Sequence, residues 1–285
     1  MLSTSQKILI ARGLSSIVMY FRRIFHRPSE VVITRRGITW SLNLQEGIDL
    51  AIYLLGGFEV RTLRRYAQLI REGDIVLDIG ANIGAHTLPL AQLAGPKGKV
   101  YSFEPTAYAF AKQQANIALN PGLAPRIHAQ QMMLMASNSE TLPEAVYSSW
   151  PLTESEDLHA QHRGRLKQTL GATQGTLDAF LNNAGVDRVN FIKLDVDGNE
   201  SDVLAGARYT LQKHKPMLML ELAPYVYEHN PQKFDDMLKV LSSLGYKLKD
   251  ASNGSNFPLD ADSARKLIPQ GGGVNVIAIA ETGLA

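Results

Sequence analysis

Val76-Leu77-Asp78-Ile79-Gly80-Ala81-Asn82-Ile83-Gly84-Ala85-His86-Thr87 is the stretch on which the fold turns. A short apolar run ends in a glycine turn and passes into a helix at Ala85-His86-Thr87, the arrangement of a buried strand, a loop and a helix N-terminus. Gly80 lets the backbone turn and approach a ligand with no side chain in the way. Asn82 tolerates a left-handed conformation, and Gly84 lets helix and strand pack closely. Free amides at a helix N-terminus favour a negatively charged ligand group.

Outward from this stretch the chain repeats short apolar runs separated by helical stretches. Strands are expected at 75–78, 99–103, 127–132, 190–194, 216–220, 246–249 and 274–280, with the clearest helices at 85–93, 107–120, 201–214 and 232–244. This is the signature of an α/β fold with a mostly parallel sheet. The segment 137–175 is polar, holds Pro143 and Pro151 and has no sustained period, so it reads as a long loop with room for one short strand.

With 285 residues, 45% of them hydrophobic and 20% charged, the chain is globular, and disorder, collagen and coiled coil are excluded. It has no cysteine, which removes disulfides, thiolate metal sites and thiol nucleophiles and fits a reducing cytoplasm. The 29 basic and 27 acidic residues nearly balance, so total charge does not point to nucleic acid.

The distribution of charge is uneven. Residues 1–36 hold Lys7, Arg12, Arg22, Arg23, Arg27, Arg35 and Arg36 against Glu30 alone, a net of +6 in a chain whose total is +2. Ile10, Leu14, Ile17, Phe21 and Ile24 recur at helical spacing, giving an amphipathic helix over about 7–25 that Pro28 ends. It is too short in apolar length to span a bilayer and lacks a cleavage site for a signal peptide. Two readings stand side by side: the stripe lies on an anionic membrane surface, or it packs on its own domain or a second subunit. Residues 1–45 are therefore set apart as a basic extension and 46–285 as the main domain.

Ligands of open parallel sheets lie beyond the carboxyl ends of the strands. There the second strand delivers Phe103-Glu104-Pro105, a carboxylate 20 residues after Gly84 that can accept hydrogen bonds from both ribose hydroxyls of a nucleoside. A dinucleotide fingerprint aligned on Gly80 wants glycine at 82 and 85, where this chain has Asn82 and Ala85. S-adenosylmethionine, whose methionine ammonium suits Asp78, fits better than NAD, and a nicotinamide-dependent oxidoreductase is the competing reading.

The stretch 76–87, Phe103-Glu104-Pro105, Thr176-Leu177-Asp178-Ala179-Phe180 and Phe191-Ile192-Lys193-Leu194-Asp195-Val196-Asp197-Gly198-Asn199-Glu200 together resemble the FkbM family of S-adenosylmethionine-dependent methyltransferases, over about residues 46–280. The resemblance implies a Rossmann-like, seven-stranded class I methyltransferase sheet with its last strand antiparallel. It also implies O-methylation of hydroxyls on sugars, glycolipids or secondary metabolites. Asp78, Gly80, Asn82 and Gly84 carry over to the methionine end of the cofactor, with Ala81 and Thr87 in the same turn, and Glu104 carries over to its ribose. Asn138 takes the adenine position. The family more often has glutamate where this chain has Asp197.

Strand periodicity puts Lys193, Asp195 and Asp197 on one face. A lysine inside an apolar strand needs a charged partner, and Asp195 is the nearest in sequence. Asp195 then serves as the base that accepts the acceptor's hydroxyl proton, with Lys193 tuning it, or the two simply satisfy each other. Glu221, at the end of the fifth strand, is a second candidate base. Asp195-x-Asp197-x-Asn199 imitates a calcium loop, but Glu200 and Gly206 stand where glycine and glutamate are required. Asp195, Asp197 and Glu221 as magnesium ligands, and His159 with His162, are weaker metal readings, so none is assigned. Tyr147 and Trp150 either cover an acceptor or anchor their loop. A non-catalytic scaffold of the same fold at a membrane is a further alternative.

Overall fold

The computed structural model describes residues 4–148, 152 and 165–281, with side chains from Leu9 onward. The chain opens with helix α1 (Thr4–Ile24), the hairpin β1 (Glu30–Arg35) and β2 (Ile38–Asn43), and helices α2 (Gly47–Leu55) and α3 (Val60–Leu69). The central part runs β3 (Ile75–Ile79), α4 (Thr87–Ala94), β4 (Lys99–Phe103), α5 (Ala107–Ala118), β5 (Ile127–Gln130), β6 (Met132–Leu134), β7 (Ala145–Ser148), β8 (Arg165–Gln168), β9 (Thr173–Gly175) and α6 (Leu177–Asn183). It continues with β10 (Phe191–Leu194), α7 (Glu200–Ala205), α8 (Arg208–His214), β11 (Met217–Leu222), α9 (Pro231–Ser243), β12 (Tyr246–Asp250), β13 (Asn256–Phe257), α10 (Ala261–Leu267) and β14 (Val274–Ala280).

Eight strands form one sheet in the order β13-β12-β14-β11-β10-β3-β4-β5. β3, β4, β5, β10 and β11 are parallel, and β14 runs antiparallel between β11 and β12. This is the Rossmann-like methyltransferase arrangement with one addition: the two-residue β13 pairs with β12 at the edge, making eight strands where seven are expected. All seven expected strands are present.

The strands read as continuous apolar runs because both faces are covered. Leu77, Ile79, Phe103, Ile192, Leu194 and Leu220 pack in one core, with α7, α8 and α9 contributing to the same layer. Val76, Val100, Phe191, Met219 and Ile277 pack in the other, against α2, α3 and α4.

Three departures from the sequence reading have local causes. The expected helix over 201–214 is broken between α7 and α8 at Gly206, where a Cβ would stand 2.2 Å from the Met135 carbonyl oxygen. The break is capped by Asp178, whose carboxylate accepts the Tyr209 and Thr210 amides at 2.9 and 2.8 Å. Among the described residues of 137–175 there are three short strands rather than one: β7 pairs with β8, and β9 with β6. The third departure concerns the boundary at residue 45. Ile38, Trp40, Leu42 and Leu44 are buried in the second core. The free edge of β2 is closed by side chains from α5 and the loop after it, with Asn116 Oδ1 accepting the Ser41 amide at 2.8 Å and Asn120 Oδ1 the Thr39 amide at 2.9 Å. The hairpin thus packs into the second core, and two asparagines satisfy the backbone groups that a further strand would otherwise pair.

Candidate active site

A cavity of about 360 Å³ opens beyond the carboxyl ends of β3, β4 and β10, within the size range of small-molecule sites. Its walls come from the glycine turn (Gly80, Asn82), the end of β4 (Phe103, Glu104, Thr106), Met132 to Leu134, the strand β7 and the segment Asp195 to Asn199. Glu104, Asp195 and Asp197 are its charged residues, and no lysine, arginine or histidine lines it among the described residues.

The glycine turn is built differently from the expectation of free amides. Gly80 and Ala81 both donate to the Phe103 carbonyl at 3.0 Å, Asn82 donates to Glu104 Oε2 at 3.0 Å, Ile83 to Asn82 Oδ1 at 2.9 Å and Gly84 to the Ala81 carbonyl at 2.9 Å. Helix α4 begins only at Thr87, two residues later than its expected start at Ala85. Every amide from 80 to 84 is therefore engaged, and the turn holds no ready cradle for a diphosphate. Asn82 is left-handed at φ 48°, as its residue type allows. The need for glycine at position 80 comes from within the protein: φ is +82°, and a Cβ there would stand 1.8 Å from the Asp195 carbonyl oxygen. A Cβ at Gly84, at φ +87°, would make only ordinary side-chain contacts, the nearest to Gln113 at 3.4 Å.

Glu104 is 4% exposed and closes the turn from the other side, accepting the Thr106 amide at 2.9 Å and the Thr106 hydroxyl at 2.5 Å on Oε1. Burial raises its pKa, and the Thr106 and Asn82 donors work against that rise. Oε1 has both lone pairs taken by the Thr106 donors, and Oε2, which accepts Asn82, keeps one acceptor site.

Lys193 joins the turn to the motif on β10. It is buried, donates to the Gly80 carbonyl at 3.0 Å, and stands 3.6 Å from Asp78 Oδ1 and 3.5 Å from Asp195 Oδ2. Burial alone would lower its pKa, but Asp195 and then Asp78 outweigh this, and the net direction is upward. Lys193 and Asp78 are register partners on neighbouring parallel strands, so the second partner of the lysine comes from topology rather than from its own strand.

Asp78 is fully buried, takes the Thr87 hydroxyl at 2.6 Å, and lies beneath the turn rather than on the cavity wall. Desolvation raises its pKa against the pull of Lys193. The Thr87 side chain is likewise spent on Asp78 and Gln113. Asp195, with a side chain 35% exposed, faces the cavity.

Asp197 is left-handed at φ 50° and reaches the cavity beside Asp195. Desolvation raises its pKa first, and the carboxylates of Asp195 and Glu200 raise it further. Because its side chain keeps contact with solvent, the neighbouring charges carry a real share of that rise.

Two further placements differ from expectation. Glu221 is absent from the cavity wall; its carboxylate lies against Gly273, where a Cβ would stand 2.0 Å from Oε1. Asn138 is exposed and accepts the Thr176 amide at 2.8 Å, away from the cavity. Among the described residues no three acidic or histidine side chains converge as metal ligands. Trp150, His159 and His162 lie outside the described residues, while Tyr147 is on the cavity wall.

Sequence reasoning missed the clamp behind the β10 motif. Buried Glu200 accepts the Val196 amide at 2.9 Å and the Gly198 amide at 3.1 Å, and Tyr227 donates its hydroxyl to the same carboxylate. The spacing Asp195-x-Asp197-x-x-Glu200 was the available signal for the turn, but Tyr227, 27 residues further on, had none. The motif Thr176-Leu177-Asp178-Ala179-Phe180 proves to be structural: Thr176 caps α6, Asp178 caps α8 and Phe180 packs edge-on against Phe103.

Comparison with known proteins agrees with this geometry. Residues 78–248, more than half of the chain, match the Methyltransferase FkbM domain. The chain is 27% identical over 161 residues to the 2-O-methyltransferase NoeI of Sinorhizobium fredii, covering 53% of this chain and 64% of that protein. It is 26% identical over 162 residues to the hexuronic acid methyltransferase AglP of Haloferax volcanii, covering 54% and 62%. The chain thus spans a little under two thirds of the length of these curated relatives. Among solved structures it resembles the methyltransferase FkbM of Methylobacillus flagellatus, with a TM-score of 0.44 and 19% identity over 73% of this chain and 44% of that one. On the match over residues 78–248, the chain belongs to the FkbM methyltransferase family.

Proposed function

We propose that the protein transfers a methyl group from S-adenosylmethionine to a hydroxyl oxygen of a sugar, glycolipid or comparable hydroxylated metabolite. The single observation that carries this reading is the charge of the cavity: three carboxylates and, among the described residues, no basic residue, beside a turn whose amides are already engaged. S-adenosylmethionine has a sulfonium and an ammonium against one carboxylate and is a net cation, which such a wall favours. A nicotinamide dinucleotide carries a diphosphate, which the same wall repels.

The residues fit the cofactor in parts. Glu104 lines the cavity and is proposed to take a ribose hydroxyl, the apolar surface of Phe103 and Met132 to Leu134 is proposed to receive the adenine, and Asp195 and Asp197 are proposed to face the methionine end. The cofactor supplies an electrophilic methyl group. Asp195 accepts the acceptor's hydroxyl proton on its cavity-facing carboxylate, and Lys193 holds that carboxylate in place through its contact at 3.5 Å. Positioning of the two reactants is the larger effect, because well-oriented groups reach effective molarities of about 10⁵–10⁸ M. A placed base adds roughly 10²–10⁴-fold.

One relative is named as a 2-O-methyltransferase, which supports oxygen as the methylated atom, and one as a hexuronic acid methyltransferase, which supports a sugar-type acceptor. The test is a methyl-transfer screen with radiolabelled S-adenosylmethionine against sugars, glycolipids and hydroxylated metabolites. Label on an oxygen of one acceptor class, lost in Asp195→Asn, supports the reading; label on nitrogen or carbon overturns the O-methyl assignment.

A further inference from the structure

Helix α1 does not bury the stripe that its sequence displays. Ala11, Val18 and Met19 pack on the second core, and buried Ser15 donates its hydroxyl to the Leu44 carbonyl at 3.0 Å. On another side Ile10, Leu14, Ile17, Phe21 and Ile24 are exposed, Ile17 at 56% and Phe21 at 55%. Tyr20 and Phe25 border that side and are exposed as well. At 3.6 residues per turn the two sets are centred roughly 125° apart around the helix, so one side is fixed to the domain and a separate side is an uncovered apolar strip. A monomer normally leaves no such strip in water.

We propose that this face docks in the plane of an anionic lipid bilayer. Three observations select that occupant. Arg23 and Arg27 are exposed near the C-terminal end of α1, within a segment of net charge +6, while the rest of the chain is net negative. The strip itself carries no charged side chain, and its C-terminal part is rich in aromatic residues, which favour the headgroup boundary. No described helix is long and apolar enough to cross a membrane, so the strip lies on the surface instead of spanning it. A second copy seated symmetrically on the strip would bring two +6 segments together, which disfavours self-association.

The experiment is co-sedimentation of the full chain with phosphatidylcholine vesicles and with mixed phosphatidylcholine–phosphatidylglycerol vesicles, at low and high salt. Sedimentation velocity of the same samples without lipid runs in parallel. The expected result is binding to the mixed vesicles only, weakened by salt. The double variant Ile17→Asp, Phe21→Asp abolishes it while thermal unfolding stays unchanged, because both side chains are exposed. Each basic residue near an anionic surface is worth about a fivefold change in partitioning, so Arg23→Ser with Arg27→Ser lowers it about 25-fold. Three results overturn the proposal: no binding to either vesicle, equal binding to both, or a concentration-dependent dimer that the Ile17→Asp, Phe21→Asp pair dissolves.

Discussion

Lys193 Nζ stands 3.5 Å from the cavity-facing carboxylate of Asp195 and 3.6 Å from the buried carboxylate of Asp78, so one cation serves both the floor of the site and its candidate base. The two carboxylates are not equivalent: Asp78 has no solvent, whereas Asp195 keeps 35% of its side-chain surface exposed. Their substitution must therefore separate stability from turnover. Lys193→Met strands a buried charge and costs about 3–5 kcal/mol of stability. Asp195→Asn leaves the unfolding temperature close to wild type and lowers turnover by roughly 10²–10⁴-fold. Calorimetric unfolding and a methyl-transfer assay on the same preparations check the split.

The glycine turn predicts an order of damage. Gly80→Ala places a Cβ 1.8 Å from the Asp195 carbonyl, and backbone cannot give way as a flexible side chain can. Gly84→Ala meets Gln113 at 3.4 Å and bears mainly the left-handed conformation, a cost of about 1–2 kcal/mol. Thermal unfolding should show Gly80→Ala far more destabilised than Gly84→Ala. Equal melting temperatures for the two variants would contradict the close approach of the turn to β10.

Much of this was legible in the sequence. The seven expected strands, the left-handed Asn82 and the convergence of Glu104, Asn82 and Asp195 on one cavity all follow from short apolar runs, turn residues and strand-end position. What failed depended on neighbours distant in the chain. Asp78 looks like a ligand group at a strand tip, but its register opposite Lys193 turns it into a buried counter-ion. Glu221 shares a rim position with Asp195 by sequence, yet β14 runs beside it and closes Gly273 over its carboxylate. The need for glycine at the 206 break comes from the close Met135 carbonyl, a contact no local pattern encodes.

Glu104 supports the turn, and its proposed role as a ribose ligand separates from that support by substitution. Glu104→Ala leaves the Asn82 and Thr106 amides without their acceptor, at about 1–3 kcal/mol for each buried group unsatisfied, so it weakens both fold and cofactor binding. Glu104→Gln keeps one carbonyl acceptor and should retain more stability while still losing affinity for S-adenosylmethionine. Paired unfolding and binding titrations on the two variants check this.

The raised pKa of Asp197, pushed up to about 8, gives the site a pH dependence whose sign is fixed. The folded apo state holds this proton above the ordinary carboxylate range, and a cationic ligand favours the ionised form. Affinity for S-adenosylmethionine should therefore rise with pH up to about 8, with proton release on binding, and Asp197→Asn should flatten the profile. Titration calorimetry in buffers of different ionisation enthalpy counts the released protons.

The central claim is that the cavity beyond β3, β4 and β10 receives a sulfonium nucleoside and not a diphosphate one. Titration calorimetry of the full chain with S-adenosylmethionine, and separately with NAD and NADH, tests it directly. The account predicts saturable one-to-one binding of S-adenosylmethionine that weakens in Glu104→Gln, with no heat from either dinucleotide. Binding of NAD or NADH in its place, or S-adenosylmethionine binding indifferent to Glu104, would contradict it.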